Sequence, residues 1–432
     1  MENLEIIILV LSFLFLVSIG VPIAFSIGIS AGLTMLLGIA PIPSFTTLAQ
    51  RMATGLDSFA LIAIPFFILA GELMNKGGIA TRLINFAKVL VGMFPGGLAY
   101  VNILACMLFG AISGSAAAAA SAIGGFMTPV MEKEGYSKPF SASVNITSST
   151  IGLVIPPSNI LIIYSLASGG VSIAALFLAG YIPGLLVGLA LMLVAGVFAY
   201  LKGYPVGGTV TFKFAIVKFL DALPSIMLLF IVMGGIVAGI FTATEASAIA
   251  VLYTLILSML VYRQVKLKDL SQILLKTVST TAIVMILIGT SMGMSWVMSF
   301  ENIPQDVSDV LLSISDDKAV VLIIINIILL FVGIFMDMTP AVLIFTPIFL
   351  PVVTNLGIDP THFGIVMVLN LCIGLCTPPV GSILFIGCSV ARVKIESVIK
   401  PLLPLFIAMI IVLIIITYVP EISLWLPSKF GF

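Results

Sequence analysis

Two stretches decide how this chain folds: Ile155-Pro156-Pro157-Ser158-Asn159 and Thr377-Pro378-Pro379-Val380-Gly381. Each sets a Pro-Pro pair inside an apolar segment, where proline removes a backbone donor and clashes with the preceding turn. They stand at one offset (378 − 156 = 222). The same offset joins Gly152 to Gly374, Pro129 to Pro351 and Phe109 to Phe331, and aligns Pro22-Ile-Ala-Phe-Ser26 with Thr244-Glu-Ala-Ser-Ala248. A constant shift over most of the chain marks an internal duplication, with halves at 1–210 and 211–432.

Of the 432 residues, 61% are hydrophobic and 8% charged, against about 25% charged in soluble domains. A water-facing surface cannot be built from this composition, which excludes a soluble enzyme, a nucleic-acid binder and a disordered scaffold. The chain reads as an all-α polytopic protein of the lipid bilayer. Eighteen Lys+Arg balance eighteen Asp+Glu, so no global field points to a polyanionic partner. The first apolar segment, Leu4 to Ile19, lacks a basic n-region and a cleavage site, and is read as a membrane helix.

Hydropathy predicts spans at 4–19, 20–39, 57–75 and 175–201, and a span at 139–170 broken at its prolines. The stretch 97–135 is interrupted at Ser113-Gly114-Ser115, which reads as two limbs of a re-entrant hairpin. The second half repeats this at 222–241, 243–262, 277–298, 361–392 and 397–420, with a hairpin at 319–355. The expectation is ten spanning helices, two of them broken, plus two hairpins. In domain terms, scaffold helices lie at 1–39, 175–201, 222–262 and 397–420, and transport parts at 57–170 and 277–392.

Five spans per half require the halves to insert in opposite senses, and the charges agree. Arg263 to Lys276 carries four basic residues where 41–54 carries Arg51 alone, and fifteen of the eighteen basic residues fall on one side. That side is the cytoplasm by the positive-inside rule, which puts both termini outside, in the periplasm if the membrane is a bacterial inner one. Amphipathic stretches at 79–90 and 303–314 are expected to brace the hairpins in the interface plane.

Broken helices in hydrocarbon persist where the freed backbone groups line a cavity or hold an ion. Here they come as two matched pairs, the strongest sequence pointer to a transporter's site. Ser113, Ser115, Ser148, Ser149, Ser158, Thr339 and Thr377 offer neutral oxygens, and unwound backbone adds carbonyls. Such shells suit a hard cation, and sodium is favoured over protons because Asp337 alone brings a carboxylate to a tip. Helix N-termini at the breaks favour an anionic cargo, so small carboxylates are expected.

Other polar residues have plainer readings. Asp57 and Glu72 cap or anchor a span, Glu245 caps a helix start, and Arg392 with Lys394 reaches the cytoplasmic surface. The Ala116–Ala120 run permits close helix packing. Cys372 and Cys376, a helical turn apart in a chain with one histidine, are core filler. His362 is expected in a loop, capping or at the surface.

Ser113-Gly-Ser-Ala-Ala-Ala, Ile155-Pro-Pro-Ser158, Phe241-Thr-Ala-Thr-Glu245, Asp337-Met-Thr-Pro340 and Thr377-Pro-Pro-Val-Gly381, with Ile64-Pro-Phe-Phe-Ile-Leu-Ala-Gly-Glu-Leu-Met74, together resemble the large membrane subunit of the tripartite ATP-independent periplasmic (TRAP) transporters. The resemblance implies an elevator-type secondary transporter that imports organic anions with sodium. It implies two partners, a separate small membrane subunit and a soluble periplasmic substrate-binding protein. Carried onto this chain, one sodium site falls around Ser113, Gly114, Ser115, Ser148, Ser149, Gly152 and Ile155-Pro156-Pro157. The other falls around Asp337, Thr339, Pro340, Gly374, Thr377 and Pro378. Substrate lies between, near Ser113, Ser115, Ser158, Asn159, Asp337 and Gly381. The nearest alternative is a stand-alone ion-coupled carboxylate carrier that needs no binding protein. A membrane-embedded hydrolase would need a nucleophile with a paired base within the bilayer, and none is legible. No G-x-x-x-x-G-K loop is present, so ATP is not the direct fuel within this chain.

Overall fold

The computed structural model describes residues 4–205, 211–315 and 317–432, apart from the Phe212 side chain. Residues 1–3 of the expected first half, and residue 210 at its junction with the second, lie outside the described residues. The regular structure among the described residues is entirely helical. The first half runs α1 (Leu4–Ser18), α2 (Ile23–Gly38), α3 (Pro41–Leu56), α4 (Ala63–Lys76), α5 (Ile79–Val91), α6 (Gly97–Ser113), α7 (Ala116–Lys133), α8 (Lys138–Ile151), α9 (Asn159–Ala167) and α10 (Ile173–Lys202). The second runs α11 (Phe212–Val237), α12 (Ala243–Ile256), α13 (Leu267–Phe300), α14 (Ile303–Ile314), α15 (Lys318–Phe335), α16 (Met338–Asn355), α17 (Pro360–Gly374), α18 (Ser382–Ala391), α19 (Ile395–Tyr418) and α20 (Glu421–Lys429). The hairpins are α6–α7 and α15–α16, and the broken spans are α8–α9 and α17–α18, each as expected. Helix α16 begins and ends 222 residues after α7.

Among the described residues, eight helical stretches are long and apolar enough to cross a bilayer, and two of them are the hairpin arms α15 and α16. The expected count of about ten includes α1 and α2, whose 15 and 16 residues reach about 22–24 Å at 1.5 Å per residue. That falls short of a hydrocarbon core of about 30 Å. The broken spans cross only as pairs of short helices.

One departure from the repeat has a local cause. Residues 41–54, expected as a connection, form α3, with proline at its first position, where the missing N–H costs nothing. The chain leaves the helical conformation at Asp57 and Ser58, and Pro65 stands in the first turn of α4. The equivalent position in the second half is Leu287, and α13 continues for 34 residues. The expected span 277–298 is therefore the latter part of one long helix.

Packing sorts the helices into two groups. Helices α1–α4 and α11–α13 pack mainly among themselves, while α6–α10 and α15–α20 form the other group. Helix α5 touches both groups through α6 and α11, and α14 does so through α16 and α13. This places 175–201 and 397–420 with the hairpins, and 57–75 and 277–298 with the opposite group. The reason is legible in α10. Gly180, Gly184 and Gly188 recur every four residues, and a Cβ on them would strike Val154, Ile155 and Met107. Close approach to the α8–α9 break therefore requires glycine, and it seats α10 there.

Tyr164, Phe109, Phe140, Phe177 and Phe363 are the bulkiest fully buried side chains. All lie in the group that contains the hairpins. Ile79, Leu83, Ile84 and Ala87 bury one face of α5, whereas Leu90, Val310 and Ile314 on the two amphipathic helices stay exposed.

Candidate functional site

Both hairpin tips open onto one cavity of about 540 Å³. At the first tip, α6 ends in Gly114 at φ +60°, a left-handed turn that glycine adopts without strain. Ser115 then caps α7, accepting from the Ala118 N–H at 3.2 Å. At the second tip, Asp337 stands at the N-cap of α16 in an extended conformation, with no side-chain capping bond. Its carboxylate is left open to the cavity.

The breaks lie behind the tips. After α8 the chain unwinds from Gly152, and the Ser158 hydroxyl donates to the Leu153 carbonyl at 2.6 Å. After α17, the Thr377 hydroxyl donates to the Ile373 carbonyl at 2.8 Å, and the Gly381 N–H returns to the Thr377 carbonyl at 3.0 Å. The Leu375 carbonyl accepts from Ile383 at 3.2 Å, so parts of the unwound backbone are partnered across the gap.

Of the expected residues, Ser113, Gly114, Ser115, Asn159, Asp337 and Thr339 line the cavity. Ser113 Oγ and Asn159 Oδ1 are buried and have no hydrogen-bond partner. Ser158, Gly381, Gly152, Ile155, Pro156, Pro157, Pro340, Gly374, Thr377 and Pro378 are not among the lining residues. Ser158 is fully buried, with its hydroxyl engaged by the Leu153 carbonyl.

Ser148 and Ser149 are also fully buried away from the cavity. The Ser148 hydroxyl is held by the Val144 carbonyl at 2.6 Å and Asn102 Oδ1 at 3.3 Å, and Ser149 donates to the Ile146 carbonyl at 2.9 Å. Ser148 thus belongs to a polar clamp between α6 and α8, whereas Ser149 bonds within α8. Asn370, which is 222 residues after Ser148, makes the matching clamp onto Asn326 Oδ1 at 2.8 Å.

Sequence reasoning missed part of the wall. Glu72 and Asn75 from α4, Lys276 and Thr280 from α13, and Ser382 from α18 all line it. Glu72, read as a span anchor, pairs with Lys276 at 2.8 Å. Position alone flagged Glu72 as a carboxylate near a span end; nothing in the sequence ties it to Lys276.

Three other expectations are settled by contacts. Glu245 caps as expected, accepting from the Thr242 N–H at 2.8 Å while its own N–H bonds Thr242 Oγ1 at 3.2 Å. The four cysteines are free and buried. His362 is neither in a loop nor at the surface. It lies in the first turn of α17, buried, with Nδ1 2.7 Å from Ser423 Oγ and Nε2 3.3 Å from the Thr417 carbonyl. Asp359 supplies the cap there instead, accepting from Thr361 N–H at 2.7 Å.

Re-entrant tips and broken helices that meet at one polar cavity inside an apolar helical body define a transport protein of the membrane. The chain belongs to the TRAP transporter family as its large permease: the family described as "Tripartite ATP-independent periplasmic transporter, DctM component" matches residues 10–422. It is similar to the uncharacterized protein YgiK of Salmonella typhimurium, at 56% identity over 99% of this chain and 98% of that one. It is 40% identical to the C4-dicarboxylate TRAP transporter large permease DctM of Pseudomonas aeruginosa, covering 94% of both chains. It is 38% identical to the sialic acid TRAP transporter large permease SiaM of Vibrio cholerae, covering 95% and 96%. The fold is shared with the YdaH transporter of Alcanivorax borkumensis, at a TM-score of 0.64, 13% identity and coverage of 91% and 90%. The chain is thus a permease and not an enzyme, and it works with a small membrane subunit and a periplasmic binding protein.

Proposed function

We propose that this permease imports a small organic anion, a carboxylate such as a C4-dicarboxylate or a sialic acid, across the bacterial inner membrane. Sodium is the coupling ion, and the periplasmic binding protein delivers the cargo. The observation that carries this reading is the shared cavity, into which both tips bring hydroxyls while Ser113 Oγ and Asn159 Oδ1 lack partners. Buried polar atoms are nearly always satisfied, and a bound ion or cargo is what would satisfy these.

One sodium would be held by Ser113, Gly114, Ser115 and carbonyls of the 152–157 break. The other would be held by Asp337, Thr339 and carbonyls of the 374–378 break. Neutral oxygens with at most one carboxylate suit a monovalent hard cation. The movement we infer is an elevator. The group built on α6–α10 and α15–α20 would slide against α1–α4 and α11–α13, with α5 and α14 as the links. Fifteen of the eighteen basic residues would face the cytoplasm and both termini the periplasm.

The test is uptake of labelled succinate and N-acetylneuraminate into proteoliposomes holding the complete transporter, with the binding protein outside. An inward sodium gradient is expected to drive accumulation that potassium does not. Uptake indifferent to the sodium gradient would overturn the coupling. Uptake without any binding protein would select the stand-alone carrier.

A further inference from the structure

Three charged side chains line the cavity among the described residues: Glu72, Lys276 and Asp337. Two are carboxylates, so an anionic cargo enters a wall already biased against it and needs cationic compensation. Lys276 is the one ammonium there. Its Nζ lies 2.8 Å from Glu72 Oε1 and 2.8 Å from Oε2, and the two ends of this pair are unlike. The Glu72 side chain is 16% exposed and the Lys276 side chain 59%. The carboxylate is held in place, while the ammonium stands at the end of a flexible four-carbon stem open to the cavity. Asn75, three residues from Glu72, and Thr280, four from Lys276, extend the same faces into the wall. A polar strip from the α4/α13 group therefore looks across the cavity at the hairpin tips.

We propose that Lys276 is a cargo contact: it leaves Glu72 to bind the acid group of the transported anion, and Glu72 takes it back when the cargo departs. The inference rests on the anion-transport reading and adds to it a recognition element outside the tips and breaks. It makes the ion pair a competitor of the cargo, which fixes the sign of two substitutions. Lys276→Met removes the ammonium and is expected to raise KM about tenfold or more, the scale of one hydrogen bond to a charged group. Glu72→Gln leaves the lysine without a rival and is expected to lower KM, with slower turnover because release is harder. Lys276→Arg keeps the charge and recovers most of the affinity, which separates recognition from misfolding.

The experiment is sodium-driven uptake by the complete transporter in proteoliposomes, with succinate, N-acetylneuraminate and isethionate as probes. Opposite movements of KM in Lys276→Met and Glu72→Gln support the assignment. A pair that only fastens α4 to α13 would move both variants the same way or leave KM alone, and either result overturns it. If the wild type carries none of the three anions under a sodium gradient, the transport reading fails and this one with it. Wild-type uptake with no opposite split removes the role of Lys276 alone.

Discussion

Gly110 and Gly152 cross so closely that a Cβ on Gly110 would stand 2.6 Å from the Gly152 Cα. The second half repeats the contact, with a Cβ on Gly333 falling 3.0 Å from the Gly374 Cα. In each half the first hairpin arm is thereby pressed, backbone to backbone, against the helix just before its break. The tip is held over the unwound segment because neither helix carries a side chain at the crossing.

Alanine at this crossing is expected to be costly. Gly152→Ala puts a methyl where the Gly110 backbone already stands, and rigid overpacking of this kind destabilises by about 1–3 kcal/mol. Gly125→Ala, in α7 with nothing within 4 Å of its Cβ position, is the control. It is expected to be neutral or to stabilise by up to about 1 kcal/mol through helix propensity. Thermal unfolding in detergent measures both, and equal melting temperatures would show that the crossing relaxes at no cost.

Ser113→Ala separates ion binding from stability. Ser113 Oγ is buried without a partner, so its removal without sodium is expected to leave stability unchanged or raised. With sodium in excess, the wild type is expected to gain about 2.7 kcal/mol at a hundred times the dissociation constant. The variant gains less, and Asp337→Ala likewise loses part of the sodium response. The comparison is melting in sodium against choline at equal ionic strength. A Ser113→Ala protein with the full sodium response would take the hydroxyl out of the site.

These residues also mark what the sequence discloses. The duplication, the tips and the breaks were legible because proline, glycine and the serines around them punctuate apolar runs, and punctuation survives as a one-dimensional signal. Gly180, Gly184 and Gly188 are visible too, but hydropathy cannot say which helix a small-residue face meets, so the seat of α10 against the α8–α9 break is not legible in the sequence. Ser148 and Ser149 look like ion ligands by composition. Only the three-dimensional register shows their hydroxyls engaged with Asn102 and the α8 backbone. Lys276 and Glu72 meet through tertiary packing alone.

Arg82 is expected to act as a fastener between α5, α11 and Tyr262 in the segment that follows α12. Its Nε lies 3.1 Å from Asp221 Oδ1, and its guanidinium lies 3.6 Å from the centre of the Tyr262 ring. The ion pair is partly exposed and so contributes little; the stacked cation adds about 0.5–2 kcal/mol. Arg82→Lys, which keeps the charge without the planar stack, is expected to lose most of what Arg82→Ala loses. Stability measurements on both variants and on Tyr262→Leu decide it. If Arg82→Lys melts like the wild type, the ion pair and not the ring holds α5.

The tie between α17 and the C-terminal helix gives the last prediction. The Thr417 carbonyl only accepts, which places the His362 ring proton on Nε2, and Nδ1 is then an acceptor for the Ser423 hydroxyl. A neutral imidazole thus bonds the end of α19 on one side and α20 on the other. His362→Ala is expected to cost about 2–4 kcal/mol, combining a buried cavity with lost hydrogen bonds. His362→Phe refills the volume and recovers the packing share alone. The Ser423 backbone N–H keeps its bond to the Pro420 carbonyl at 3.0 Å, so Ser423→Ala is milder. Hydrogen exchange is the discriminating measurement: amides of α20 are expected to exchange faster in both His362 variants, while those of α8 stay protected. Unchanged protection of α20 would mean that its packing against α10 holds it without the histidine.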